Sequence, residues 1–244
     1  MIAAIHQPNF FPWPGYFRKI ARADTFIFLD CVQFSRGTWT NRVKLLVGGE
    51  PRWVTCPFGH KSGGFQIISD IIIDDSQPWR ARLCRTLEVN YRKAPYFDTI
   101  FPQVATCIRR PETHLSAYNI RNIIEIARLL GLDTDFALAS ALMQSQAFRD
   151  SEPSGSTLSG SSLLVRLCLR VGADHYLAGD GAEGYEQPEI YDRQKITLLR
   201  NGFVGAPYPQ TGTAEFRPGL SILDALFNLG PEAAGRLVKG EAEA

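Results

Sequence analysis

Residues 2–30 read IAAIHQPNFFPWPGYFRKIARADTFIFLD, and their periodicity decides the class of fold. IAAI (2–5) and TFIFLD (25–30) are short apolar runs bounded by turn-forming residues, so both read as buried strands. Between them, Gly15 to Ala23 carries apolar residues at helical spacing, with Phe17, Ile20 and Ala21 inward. Strand, helix and strand in about thirty residues make a βαβ unit. Its two strands are expected to lie parallel and adjacent, joined by a right-handed crossover.

The same rhythm returns after residue 134. DFALAS (135–140) and HYLAG (175–179) are strand-like, SSLLVRLCLRVG (161–172) is a helix, and KITLLRNGFV and SILDALFNLG add one strand and one helix. Between the two halves the character changes. KLLV, GGE and RWVTC spell a hairpin with a Gly-Gly turn, FQIISDIIID adds a further strand, and helices follow at 79–91, 95–108 and 115–131. In the last of these Ile120, Ile123, Ile124, Ala127 and Leu130 mark one face, and Gly131 is placed to close it. The expected fold is therefore α/β: a mainly parallel, Rossmann-like central sheet with an antiparallel hairpin extension at 41–74 and a helical subdomain at 79–131. One domain spans 1–230, and 231–244 is expected to fray as a tail.

Composition narrows the partners. At 244 residues, 45% hydrophobic and 21% charged, the chain can bury a full core. Its 26 basic and 25 acidic residues leave a formal charge of +1, without the basic field that nucleic acid demands, so no nucleic-acid partner is expected. Five cysteines, at 31, 56, 84, 107 and 168, form no CxxC pair, and the first residues show no export-signal pattern. This reads as reduced thiols in a cytoplasm. No apolar run approaches the roughly 18 residues of a membrane span.

Ligands of open α/β sheets sit at the carboxyl ends of the parallel strands. Here those ends carry His6-Gln7-Pro8, Asp30-Cys31, Ser140 and GDGAEGY (179–185). His6 with Asp30 makes a candidate acid/base pair; equally, His6 suits a core histidine satisfied by backbone groups and Asp30 a turn former. Pro8, Pro12 and Pro14 stiffen the loop that Phe10, Phe11, Trp13 and Tyr16 anchor, either as a preorganised site or as a lid sealing a core. WTNRVK (39–44) sets Asn41 and Arg42 beside an aromatic, a set suited to a carboxylate, phosphate or sugar and also common on solvated loops. The serine-rich stretch 151–162 leads into a helix N-terminus that can hold an anion, although it lacks a Walker lysine. CPFGH (56–60) has one Cys and one His but no second pair at zinc spacing, so no metal is expected. A nucleophilic Cys31 with His6 is a weaker alternative.

HQPNFFPWPGYFRKIARADTFIFLD, WTNR, Trp79 with NYRKAPYF (90–97), GADHYLAGDGAEGY, YPQ (208–210), and Phe216 with LSILDALFNLG (220–230) together resemble the WbqC-like protein family, in order from residue 2 to about 230. By position the resemblance implies functional weight at His6, Gln7, Pro12, Gly15, Tyr16, Asp30, Asn41, Arg42, Tyr91, Gly179, Tyr185, Tyr208, Gln210, Ser221, Asp224 and Asn228. It also implies a place in bacterial surface-polysaccharide or other specialised biosynthesis, beside amino-sugar enzymes, without fixing a reaction. A strand, a His-containing loop and a helix are also shared with nucleotidylyltransferases of the HIGH class, but no HxGH is present.

The expected activity is acyl or aminoacyl transfer to an amino sugar or related amine. His6 deprotonates the amine, Asp30 orients it, and Arg42 with Asn41 holds an anionic donor. The expected partners are small molecules, among them a nucleotide-linked amino sugar and an acyl donor, and no cofactor is required. One alternative is an adenylating or nucleotidyl-transferring enzyme, which would need Mg²⁺; another is a non-catalytic nucleotide-sugar or partner-binding protein. On either catalytic reading, His6, Asp30, Asn41, Arg42, Tyr208 and Gln210 are expected to line one concave surface, with Asp224 as a further pocket carboxylate.

Overall fold

The computed structural model describes residues 1–59, 66–145, 160–181 and 186–241. The first strand, β1 (Ile2–His6), pairs in parallel with β2 (Thr25–Phe28), with Ala4 opposite Phe26 and His6 opposite Phe28. The hairpin follows as β3 (Arg42–Val47) and β4 (Glu50–Thr55), a separate antiparallel sheet. Its turn is Gly48-Gly49, with φ of 61° and 80°, the left-handed pair that a two-residue type I′ turn requires. Strands β5 (Asp135–Leu138), β6 (His175–Ala178) and β7 (Thr197–Arg200) complete a five-stranded parallel sheet in the order β5-β2-β1-β6-β7. The chain thus steps outward from β1 on one side, then crosses back and steps outward on the other. The reversal falls between β1 and β6.

Side chains alternate across this sheet because successive strand residues point to opposite faces. Ala4, Phe26, Phe28 and Leu177 enter the larger apolar layer; Ala3, Ile5, Ile27, Tyr176 and Ala178 enter the smaller. The larger layer is covered by α1 (Pro14–Ala21), α2 (Trp79–Tyr91), α3 (Phe97–Arg109), α4 (Leu115–Leu129) and α8 (Ile222–Lys239). The smaller is covered by α5 (Ala139–Gln144), α6 (Gly160–Arg170) and α7 (Pro188–Arg193). The helices between 79 and 131 share the larger layer with the sheet and the hairpin.

Three local expectations give way. The described part of FQIISDIIID, residues 66–74, does not form a strand: Ile68–Asp70 is a 3₁₀ turn, and Ile67, Ile72 and Ile73 each make one isolated bridge to a different neighbour. Ile68 and Ile71 are buried one helical turn apart, so burial is satisfied without a ladder. On α4, Ile123, Ala127 and Leu130 are buried as expected, while Ile120 and Ile124 are only half-buried and Tyr118, Asn119, Asn122 and Ile126 extend the inward face. Two asparagines there hid the true face. Residues 231–239, expected to fray, continue as helix after a kink at Gly230-Pro231, because Ala234, Leu237 and Val238 still have core to bury. Leu220, Leu223, Leu226 and Phe227 are core, as their spacing implies. Among the described residues no helix is long and apolar enough to cross a membrane.

Candidate active-site cleft

At the carboxyl ends of β1 and β6, where the strand order reverses, lies a cleft of about 480 Å³. This is where an open parallel sheet leaves a crevice between diverging loops. His6, Gln7, Asn9, Trp13, Tyr16 and Lys19 supply one side, Trp39 and Thr40 another, and Tyr176, Gly179, Asp180 and Asn201 the third.

The loop between β1 and α1 is held in place atom by atom. Trp13 and Pro14 open α1, proline being suited to the first helical position. Phe11 adopts a left-handed φ of 40°, costly for a residue with a Cβ, and its carbonyl accepts a hydrogen bond from Ser221 Oγ at 2.7 Å. The same Ser221 oxygen caps α8 by accepting from Leu223 N, so the serine expected to be an N-cap is also the clamp on the proline loop. From the other side, Asn119 Nδ2 donates to the carbonyls of Pro8 at 2.9 Å and Thr40 at 2.8 Å. Phe10 N donates to Trp39 O. A buried helical asparagine therefore ties the two loops that wall the cleft.

His6 is fixed in one tautomer. Its Nδ1 lies 3.1 Å from Gln7 O, which also accepts from Tyr16 Oη at 2.9 Å. A carbonyl can only accept, so Nδ1 carries the proton and Nε2 keeps its lone pair. Burial, and secondarily the charge of Lys19, push the imidazole down to about 3, so it is neutral throughout the physiological range. The ring packs edge-on against Tyr16, with centroids 4.8 Å apart.

Lys19 was missed by the sequence reading. It is 2% exposed, and its Nζ donates to Ile5 O at 2.7 Å and lies 5.8 Å from the centre of the Tyr176 ring. Burial drives its ammonium down to about 7, against the pull of Glu186, Cys168 and Asp180. The legible signal was a cation on the stripe Tyr16, Lys19, Ile20, where α1 should be apolar. Asp180 does not pair with it: the carboxylate accepts from Gly202 N at 2.6 Å and Phe203 N at 3.2 Å, pinning the loop after β7. Asn201, also missed, donates to Gly15 O at 3.0 Å, and its Oδ1 is buried without a hydrogen-bond partner among the described residues.

The remaining expected residues lie elsewhere. Asp30 is not among the residues lining the cleft; its carboxylate accepts from Ser140 N at 2.9 Å and Ser140 Oγ at 2.6 Å, capping the first turn of α5. Asn41 is buried at the base of the hairpin, where its Nδ2 donates to Cys56 O. Arg42 stacks on Trp53 with its guanidinium carbon 4.2 Å from the ring centre, at the outer end of a row in which Trp13, Trp39 and Trp53 follow at centroid spacings of 4.9 Å.

Tyr91, Tyr208, Gln210, Asp224 and Asn228 converge as a group of their own, inside the protein. Asp224, fully buried, accepts from Tyr208 Oη at 2.7 Å and Gln210 Nε2 at 2.8 Å. Burial raises its carboxyl pKa, opposed by bonds from Tyr208, Gln210 and Tyr91. Gln210 also closes its own loop through Arg217 N and O, and Asn228 accepts from Thr211 N and Oγ1. Tyr91 Oη accepts from Leu46 N at 2.8 Å. This network fastens the irregular segment 201–220 and the hairpin to α8. Thus the expected single surface divides: His6, Gln7, Gly15, Tyr16 and Gly179 line the cleft, whereas Asp30, Asn41, Arg42 and the group around Asp224 do not. Tyr185 and most of the serine-rich stretch lie outside the described residues.

Residues 7–235 match the model of the WbqC-like protein family. The chain is 32% identical over 231 residues to the uncharacterized protein Rv1507c of Mycobacterium tuberculosis, the match covering 94% of each chain. No solved structure matches the chain.

Proposed function

Since the chain belongs to the WbqC-like protein family, we propose that it is a biosynthetic enzyme transferring an acyl or aminoacyl group to the amine of a small molecule, such as an amino sugar destined for a surface polysaccharide or specialised metabolite. The observation that carries this reading is His6: a neutral imidazole at a strand end, its Nδ1–H committed to Gln7 O and its Nε2 left as an acceptor, in a cleft walled by Trp13 and Trp39. Indole faces suit the apolar face of a sugar ring. As the amine nitrogen attacks the acyl carbonyl, a C–N bond forms, His6 Nε2 takes the amine proton, and the proton passes to the leaving group as its bond to the acyl carbon breaks.

The test is turnover with acyl donor and amino sugar. His6→Ala is expected to lower kcat by roughly 100-fold to 10,000-fold, the usual contribution of a positioned base, while far-UV circular dichroism and Tm stay those of the wild type. A well-folded His6→Ala protein with undiminished turnover removes the base role. The location of the cleft at the strand-order reversal also favours a second reading, nucleotidyl transfer, because folds of this topology bind nucleotides there. Mg²⁺ dependence with release of pyrophosphate identifies that reaction, and metal-independent release of the donor's carrier identifies acyl transfer.

A further inference from the structure

We infer that Lys19 forms the floor of an oxyanion subsite within the cleft, one that seats a carboxylate or phosphate group of the substrate. This rests on the cleft being the place of reaction, as proposed above, and it adds the substrate's charge. The sequence suggests Arg42 for this task, but Arg42 stacks on the face of Trp53 on the hairpin and is not among the residues lining the cleft.

Lys19 has what the task needs. An ammonium has three donors, and among the described residues one is used, by Ile5 O. Among the described residues no carboxylate stands within ion-pair distance of Nζ. A charge withdrawn from water without a partner is expensive, and a ligand oxyanion supplies the missing partner and acceptors together. Space is present where it is required: a Cβ built on Gly179 would stand 4.0 Å from Nζ, so the glycine keeps that side open. A lysine that only tethered α1 to β1 through the Ile5 carbonyl would have no use for a place in the cleft lining.

The groups acting on Lys19 come from every neighbouring element: His6 from β1, Tyr176 from β6, Asp180 from the loop after it, Cys168 from α6, and Glu186 before α7. Glu186 pairs with Arg200 Nη1 at 2.5 Å and Asp180 accepts from two backbone N–H groups, and neither forms an ion pair with Nζ. Because the ammonium is held down to about 7, an arriving oxyanion must draw a proton onto Lys19 in half of the molecules at that pH. Binding then weakens about tenfold for each pH unit above 7. Below pH 7, where Lys19 is already charged, the same anion offsets the charge that depresses His6.

The experiment follows the Lys19 side chain by carbon-13 NMR in the full-length, lysine-labelled protein, titrated from pH 5 to 11 in chloride, in inorganic phosphate and in acetate. The expected result is a midpoint near 7 in chloride that rises by at least one pH unit in one of the two other salts. A response to phosphate assigns a phosphorylated substrate, and a response to acetate a carboxylic one. Calorimetry should show that binding of the responsive anion is lost in Lys19→Met. If that variant does not fold, Gly179→Val, which fills the space beside Nζ, should abolish the NMR response. An unchanged midpoint in both salts overturns the subsite. The acyl-transfer reading would still stand if His6→Ala loses turnover, and it would fall separately if His6→Ala does not.

Discussion

At the scale of single residues, the cleft is expensive to maintain. The unfolded chain holds the Lys19 proton up to about pH 10.5 and the folded chain only to about 7. Between these values the unfolded state binds more protons, so stability rises with pH; below 7 the full cost of the buried ammonium is present. Lys19→Met is therefore expected to stabilise the protein at pH 6 by a few kcal/mol, since each pH unit separating the folded and unfolded midpoints is worth about 1.4 kcal/mol, less about 1 kcal/mol for the lost bond to Ile5 O. The gain should vanish by about pH 10.5. Thermal unfolding at pH 6, 8 and 10 measures it, and a gain independent of pH would mean that titration is not its source. His6 has the same sign in a lower window, its cost growing as pH falls from 6.5 towards about 3. Asp224 differs in kind, because its partners are all protein groups. Asp224→Ala strands Tyr208 Oη and Gln210 Nε2 and should cost about 2–4 kcal/mol in urea unfolding. Turnover per folded molecule should stay near wild type, and a selective loss of kcat would return Asp224 to the active site.

At the scale of elements, the cleft is an assembly of loops fastened from behind by helices. Ser221 caps α8 and grips Phe11 O, so Ser221→Ala removes both bonds and should cost about 1–2 kcal/mol. Equilibrium denaturation reads this directly; a loss well under about 0.5 kcal/mol, below the usual worth of a single hydrogen bond, would mean that the strained Phe11 backbone stands without its clamp. Asn119→Ala should act mainly on function, since it unties the Pro8 and Thr40 carbonyls over the cleft and should raise KM or lower kcat beyond its effect on Tm. These elements differed in how plainly the sequence announced them. IAAI, TFIFLD and the Gly-Gly hairpin were legible because burial on both faces, or a two-residue turn, leaves a local signature. FQIISDIIID misled because Ile67, Ile72 and Ile73 bridge to three different neighbours and Ile72 stays exposed, an arrangement no local period encodes.

At the scale of the molecule, the strand order β5-β2-β1-β6-β7 decides where a ligand can enter, and that order is a long-range property. His6, Gln7, Tyr16 and Gly179 were found in the sequence because they sit on or beside the ends of β1 and β6. Asp30 sits at a strand end too, but its carboxylate is occupied by Ser140, a partner 110 residues away. The marks at Tyr208, Gln210, Asp224 and Asn228 belong to a network that shapes the molecule, and a sequence motif does not distinguish a residue that touches substrate from one that holds the wall. If chemistry takes place between β1 and β6, a crystal structure of the protein with the small molecule it retains from its native host will show it there. Density is expected in the cleft against Trp13 and Trp39, with an anionic end at Lys19 and an amine near His6. Density instead in the groove beside Tyr208 and Arg236, or in the one formed by Trp79, Arg80 and Arg85, with the β1–β6 cleft occupied by solvent, would contradict it.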